Sequence, residues 1–166
     1  MAGMRYGGTG IDSFSLLQPD EMPDKFEIGT HNYPGLAVLV AGIRFVCSAD
    51  TVAIAKKSEQ QAAYIISELR EEPNIIIYNE TPELPIIAFN IKGMENDDVG
   101  FVLARAYGVI SRTGLHCAPL VHKTLTDRKG CVRISLSWFT TDEECRAAVK
   151  AIQEGAQGAN SSLSQA

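Results

Sequence analysis

The chain has 166 residues, 45% of them hydrophobic and 21% charged, and a formal net charge of −5. This length is enough for one domain with a core of its own, and the composition is that of an ordinary globular protein. Because the charge balance is acidic and the basic residues are scattered, nothing points to a nucleic acid or an anionic membrane as partner.

The hydropathy pattern predicts neither a targeting segment nor a membrane span. Residues 1–6 lack the apolar core of a signal peptide. The most apolar stretch, residues 36–47, is interrupted by Arg44 and falls short of the roughly twenty residues that a bilayer requires. We therefore expect a cytoplasmic protein.

The first half of the chain predicts a loop, two helices and two strands. Residues 1–33 are rich in glycine and proline without a sustained period, which predicts an N-terminal loop and interface segment. A first helix begins at Pro34, with apolar residues at helical spacing behind it. A second helix runs from Asp50 or Thr51 to about Glu71. The β-branched segments 75–78 and 86–91 are then predicted to be short strands.

A third helix follows, and after it the chain is harder to assign. Asn96 or Asp97 is the candidate N-cap, and Gly108 is the residue that ends the helix. A brief strand is predicted at residues 109–110, followed by a loop.

The last part of the chain predicts a strand, a helix and a tail. Residues 132–138 alternate between apolar and polar side chains, as a half-buried strand does. Thr141 and Glu144 have the spacing of a capping box, which begins a helix that runs to about Gln153. Residues 154–166 are small and polar and are predicted to be a disordered tail.

These elements indicate an α+β fold. Strands and helices interleave, but the strands are short and the connections vary in length, which favours a two-layer domain over residues 34–153. Its small sheet is expected to have helices packed on one face.

The spacing of the four cysteines excludes the commonest roles for clustered cysteines. They stand far apart without a C-x-x-C pair, so no metal site is predicted, and without a secretion signal no disulfide framework is expected. At least one cysteine is therefore a candidate for chemistry. The three that fall in predicted helices or at a strand start are interpreted as structural: Cys47, Cys131 and Cys145.

Four segments, in the same order, resemble a known family. The loop 112–119, with the sequence RTGLHCAP, is similar to the active-site loop of the cysteine desulfurases in the class V aminotransferase family. The glycine-rich segment 7–10 resembles one near the dimer interface of that family, and 29–35 resembles its G-T-x-N-x-P-G turn. Residues 132–136 and then 141–144 resemble the C-terminal strand and the start of the helix after it. The similarity covers residues 5–153.

The resemblance implies a fold, a reaction and partners. The fold is the small C-terminal domain of the pyridoxal-phosphate (PLP) transferases of fold type I. The family takes sulfur from L-cysteine as an enzyme persulfide and releases L-alanine, in iron–sulfur cluster assembly. Homodimers and a sulfur-acceptor protein are the implied partners. The lysine that attaches PLP in the family lies upstream of the glycine-rich segment, so we expect the chain alone to be inactive; Lys123 follows the cysteine loop and does not match it.

The resemblance also assigns roles in sulfur transfer and substrate binding. Cys117 matches the sulfur-accepting cysteine, and a polar loop with Arg112 and His116 nearby suits an exposed thiolate. Arg133 matches the residue that binds the substrate carboxylate, which a planar two-pronged donor fits. Arg112 is a second substrate-binding candidate, with an ordinary surface salt bridge as its alternative.

Two further residues have alternatives that the sequence leaves open. Thr30 matches the threonine that reaches the PLP phosphate of the neighbouring subunit, and a helix-capping residue is the alternative. His116 is a candidate proton shuttle or a packing residue.

Other functions stay open at this point. A selenocysteine lyase or another class V enzyme would share the architecture. A second possibility is a stand-alone module that relays persulfide sulfur or binds a desulfurase as partner, and the reactivity of Cys117 without PLP would distinguish it. A third is a folded remnant without function, whose exposed apolar surface would favour self-association.

Overall fold

Within the described part of the chain, five helices and three strands follow the order α1–α2–β1–β2–α3–α4–β3–α5. The computed structural model describes residues 7, 8, 10, 11, 14–81 and 83–163, the last five as backbone only. It divides the chain into two units between Asp50 and Thr51. Helix α1 (Tyr33–Ser48) thus lies in the first unit, whereas the sequence assigns it to the domain 34–153.

The first unit consists of turns followed by α1. The Oδ1 of Asn32 accepts a hydrogen bond from the N–H of Gly35 at 3.0 Å and so caps the helix. No residue of α1 is buried, so the predicted inner face of this helix is exposed. Gly29 donates to the carbonyl of Gly8 at 2.8 Å, which joins the two glycine-containing motifs. Thr9 of the predicted glycine-rich segment lies outside the described residues.

The second unit contains an antiparallel sheet of three strands in the order β1–β2–β3. The strands are β1 (Ile75–Ile77), β2 (Ile86–Ile91) and β3 (Val132–Ser135). In β2 every second residue is buried, as period-two alternation requires when one face of the sheet meets the core. Strand β3 shows the same alternation, which the sequence predicted.

Three helices cover the buried face of the sheet: α2 (Thr51–Arg70), α3 (Asn96–Tyr107) and α5 (Asp142–Leu163). Phe89 and Ile87 of β2 are completely buried among residues of these helices, including Leu69 and Ile152. The α+β class, with helices on one face of a small sheet, is confirmed. The opposite face carries half-buried side chains, Arg133 among them.

No single helix among the described residues is long and apolar enough to cross a bilayer. Helices α1 and α2 meet both criteria only when they are counted together.

The predicted strand at 109–110 is not formed. Gly108 ends α3 in the left-handed conformation, with φ 69°, and the N–H of Val109 donates to the carbonyl of Leu103. Because closing the helix uses this N–H, the chain reaches the sheet only at Arg112.

The end of β3 also differs from its prediction. The strand ends at Ser135, not at residue 138. The N–H of Ser137 donates to the Thr140 hydroxyl at 2.9 Å, and the N–H of Thr140 donates back to the carbonyl of Ser137 at 3.0 Å. This turn therefore uses the N–H and the carbonyl of Ser137, which a longer strand would need for pairing.

Two helical segments were missed. Residues predicted as loop form α4 (Pro119–Leu125), a short helix with Pro119 in its first turn. Helix α5 continues to Leu163, where a disordered tail was predicted from residue 154; residues 164–166 lie outside the described residues. Ala156 is 1% exposed, so core packing extends the helix past Gln153 despite its glycines.

The capping box at the start of α5 is confirmed and gives a stability prediction. The Thr141 hydroxyl accepts from the N–H of Glu144 at 3.2 Å, and Glu144 accepts from the N–H of Thr141 at 2.7 Å. Thr141→Ala is expected to lower the free energy of unfolding by about 1 kcal/mol in urea titration. The control Thr124→Ala, at an exposed position of α4, should change it by less than about 0.5 kcal/mol; equal losses would contradict the role of the cap.

Candidate active site

The predicted cysteine loop is attached to the edge of β3. Arg112 and Arg133 exchange two backbone hydrogen bonds of 2.9 and 2.7 Å. Gly114 and Cys131 exchange two more, each of 3.1 Å. The segment before the cysteine therefore runs as a short antiparallel extension of the sheet.

The close approach behind this extension requires a glycine. Gly130 has a φ of +79°, and a Cβ built on it would lie 2.7 Å from the carbonyl carbon and oxygen of Gly114. Both the dihedral angle and the lack of space exclude a side chain there. Asn90 of β2 fixes the backbone next to this close approach. Its amide N–H donates to the Gly130 carbonyl at 3.0 Å, and its Oδ1 accepts from the N–H of Val132.

Cys117 lies in a tight turn. The N–H of Ala118 donates to the carbonyl of Leu115 at 2.8 Å, and the two central residues, His116 and Cys117, have φ angles of 51° and 59°. Two consecutive left-handed residues are costly for non-glycine side chains. Such backbone strain is often found at functional sites. The turn leaves Cys117 exposed.

His116 is hydrogen-bonded to the sheet, whereas its neighbour Cys117 is exposed. Its Nε2 lies 3.0 Å from the carbonyl oxygen of Cys131, and because a carbonyl only accepts, the ring N–H donates there. Burial lowers the pKa of His116 from its ordinary value, and the charges of Arg133 and Arg112 lower it further. At neutral pH the imidazole is therefore uncharged, so the positive charge of this region comes from the arginines.

Arg133 and Arg112 lie directly opposite each other across the ladder, so their side chains leave the same face. The Nε of Arg133 is buried and has no hydrogen-bond partner among the described residues. A buried charged donor without an acceptor is costly unless a ligand supplies one. Arg112 is exposed beside it.

The other cysteines fall into two groups. Cys131 and Cys145 are buried, as predicted, and burial raises the pKa of both thiols, which keeps them protonated. Cys47 was predicted to be structural but is exposed on α1. Cys117 and Cys47 are therefore the exposed thiols.

Helix α3 holds the loop from its other side, which the sequence did not predict. The hydroxyl of Thr113 donates to Asp97 in the first turn of α3. The methyl group of Thr113 lies so close to Gly100 that a Cβ on this glycine would be 2.5 Å from it. A glycine within a helix was the only signal for this contact in the sequence.

Thr30 lies in the first unit, in the turn before α1, and its side chain is exposed. Asn32 takes the capping role, so the alternative interpretation of Thr30 as the helix cap is wrong.

The model of the aminotransferase class-V family matches residues 1–147. The chain belongs to the aminotransferase class-V family. Among curated relatives, a cysteine desulfurase of Klebsiella pneumoniae subsp. pneumoniae is 32% identical over 157 residues, which are 92% of this chain and 38% of that protein. A cysteine desulfurase of Salmonella agona is 34% identical over 141 residues, covering 83% of this chain and 34% of that protein.

Solved structures of cysteine desulfurases agree with the fold. The apo cysteine desulfurase from Thermococcus onnurineus NA1 superimposes with a TM-score of 0.81 at 28% identity, over 94% of this chain and 40% of that one. The Escherichia coli cysteine desulfurase CsdA gives 0.78 at 23% identity, over 92% and 38%, and this match concerns the fold alone. The chain thus spans less than two fifths of the curated relatives to which it is similar.

PLP, the cofactor that the family implies, fits the residues of this chain in part. Thr30 has an exposed hydroxyl, a group that can bind a phosphate, and the Nε of Arg133 is a buried donor without a partner among the described residues. None of the described lysines is buried, and Lys123 is exposed on α4. These lysines therefore give no enclosed position at which the cofactor would be attached.

This arrangement predicts that the chain binds PLP poorly by itself. After incubation with PLP, borohydride reduction and desalting, we expect the purified chain to retain much less than one equivalent of the cofactor, measured by absorbance. One equivalent retained on a single lysine, located by peptide mass spectrometry, would show that the chain has its own attachment site.

Proposed function

We propose that this chain forms the part of a PLP-dependent cysteine desulfurase that accepts sulfur from L-cysteine. The observation that carries the proposal is the exposed Cys117 on a strained turn, whose preceding segment pairs directly with the strand of Arg133. A sulfur acceptor and a carboxylate-binding group are thereby held on one small ladder. The similarity to proteins named cysteine desulfurase supports the same reaction.

Arg133 binds the substrate in this proposal. Its Nε has no acceptor among the described residues, and a guanidinium presents paired donors that match a carboxylate. Arg112, on the same face of the ladder, supplies a second positive charge. Together they hold the amino acid by its carboxylate, which does not take part in the reaction.

Cys117 accepts the sulfur. Bound PLP would act as an electron sink for the Cα of the amino acid, which makes the Cβ–S bond easier to break. The thiolate of Cys117 forms an S–S bond with the substrate sulfur as that Cβ–S bond breaks, and the electron pair stays with the three-carbon product. Protonation of this product gives alanine, and Cys117 becomes a persulfide. His116, which is uncharged and directly precedes Cys117, is the proposed acceptor of the Cys117 thiol proton.

Thr30 extends the proposal to the assembly. We propose that its exposed hydroxyl contacts the PLP phosphate of a neighbouring subunit, so that the working enzyme is a homodimer with shared sites. A sulfur-acceptor protein would then take the persulfide sulfur from the exposed turn of Cys117.

The location of the persulfide tests the proposal. The chain would be combined with the PLP-bearing region of a related desulfurase and given L-cysteine, and persulfides would be trapped by alkylation. We expect the label on Cys117 in peptide mass spectra and none on Cys47, the other exposed thiol among the described residues. A label on Cys47 together with an unmodified Cys117 would overturn the assignment.

The role of Arg133 gives a kinetic prediction in the same reconstituted enzyme. Loss of a charge-assisted hydrogen bond costs roughly 1.5–3 kcal/mol, so Arg133→Ala should raise the KM for cysteine by about 10- to 100-fold. The matched control Arg105→Ala, at an exposed position of α3, should leave KM unchanged. An unchanged KM in Arg133→Ala would remove this residue from the carboxylate site.

A further inference from the structure

Three potential metal ligands meet beneath the cysteine turn. His116, His122 and Cys131 each offer one ligand atom, and these three atoms lie within 4.8 Å of one another. His122 is 4% exposed and Cys131 is 3% exposed. The cluster is therefore enclosed, and Cys117 in the turn above it is exposed.

The hydrogen bonds of His122 allow the tautomer that a metal site needs. The Thr126 hydroxyl has one hydrogen and two acceptors within reach, the carbonyl of His122 at 3.1 Å and Nδ1 of His122 at 3.2 Å. When the hydroxyl donates to the carbonyl, the ring N–H at Nδ1 donates to the hydroxyl oxygen. With the proton on Nδ1, the Nε2 of His122 carries a free lone pair.

The same reasoning applies to His116, with the nitrogens exchanged. Its Nε2 donates to the carbonyl of Cys131, so the lone pair of the neutral ring is on Nδ1. This Nδ1 is buried and has no hydrogen-bond partner among the described residues. Metal-binding histidines are typically oriented in this way, with the other ring nitrogen donating to a carbonyl or a hydroxyl.

We propose that His116, His122 and Cys131 form a binding site for a zinc-class divalent metal ion. The ligands are Nδ1 of His116, Nε2 of His122 and Sγ of Cys131, a set of two imidazoles and one thiolate that suits tetrahedral Zn²⁺ with one position left for water. The thiol proton of Cys131 leaves to solvent as the sulfur–metal bond forms. No oxidation or reduction takes place.

The charges around the cluster determine how tight the site can be. The guanidiniums of Arg133 and Arg112 act on His116, and they also repel a dication. The thiolate of Cys131 offsets one of the two metal charges. We therefore expect a reversible site that is weaker than a structural zinc site. Metal binding needs neither PLP nor L-cysteine, but it uses the only lone pair of the neutral His116 ring, so it excludes the proposed role of His116 as proton acceptor while the metal is bound.

Cobalt binding tests this site in the purified chain, prepared without a polyhistidine tag. Co²⁺ at one equivalent should give the thiolate-to-cobalt charge-transfer absorption and the strong visible bands of a tetrahedral complex, and added Zn²⁺ should displace it. Cys131→Ser should abolish the charge-transfer band, and His122→Asn should weaken Co²⁺ binding at least tenfold. Cys145→Ser removes an equally buried thiol away from the cluster and should change nothing.

A second measurement keeps the proposal testable if these variants do not fold. In the wild-type chain, long-range proton–nitrogen spectra of the imidazoles should show Nδ1 of His116 and Nε2 of His122 shifting on addition of Zn²⁺, with the protons kept on the other nitrogens. Unchanged spectra at a Zn²⁺ concentration that fully displaces bound Co²⁺ would overturn the site. So would a charge-transfer band that persists in folded Cys131→Ser and is lost in Cys117→Ser.

Discussion

Cys117→Ser is expected to lower sulfur release from L-cysteine on the order of 10³-fold in the reconstituted enzyme. A serine hydroxyl has nearly the same size, but it stays protonated and its oxygen is a poor nucleophile toward sulfur. Substrate binding should persist, because Arg133 lies across the ladder and keeps its contacts. The measurement is alanine and sulfide production, with apparent affinity for cysteine determined separately.

Cys47→Ser provides the matched control for this experiment. Both thiols are exposed, so general thiol reactivity would make the two variants behave alike. We expect full activity in Cys47→Ser. Loss of both sulfur release and cysteine binding in Cys117→Ser would indicate damage to the site as a whole and would remove the case for Cys117 as the sulfur acceptor.

Gly130→Ala is expected to destabilise the second unit by about 3 kcal/mol in urea titration. The added Cβ would lie 2.7 Å from backbone atoms of Gly114, and the φ of +79° is unfavourable for alanine. Backbone atoms cannot move aside as the end of a flexible side chain can. The ladder that carries the cysteine loop should open first, which hydrogen exchange at the N–H groups of Gly114 and Cys131 would detect.

The control for this prediction is Gly158→Ala in α5. Nothing lies within 4 Å of a Cβ at Gly158, and alanine is the better helix former by about 0.5–1 kcal/mol. This variant should therefore be slightly more stable than the wild type. If Gly130→Ala were as stable as Gly158→Ala, the close approach of Gly130 and Gly114 would not be a constraint on the fold.

The sequence by itself predicted the elements whose signals are local. Helix α2, strand β2 and the capping box of α5 were predicted because periodicity and capping residues act within a few positions. The family was also identified from the sequence, because the loop 112–119 and the motifs that flank it form contiguous segments. The alternation in β3 correctly placed Arg133 on the face opposite the core.

The two wrong predictions have different causes. The predicted strand at 109–110 is not formed for a local reason, because the helix end at Gly108 uses the N–H of Val109. The predicted tail is helical because Ala156 is buried in the core, a contact that the local pattern does not contain.

The arrangement of the site was decided by tertiary structure. Arg112 faces Arg133 because the ladder brings together segments twenty-one residues apart, and no sequence period encodes that register. The cluster of His116, His122 and Cys131 has spacings of six and nine residues, unlike the short paired spacing of familiar zinc motifs. Its three ligand atoms come within reach of one metal ion only in the folded chain. The elements that bring them together are the turn at 115–118, helix α4 and the close approach of Gly130 to Gly114.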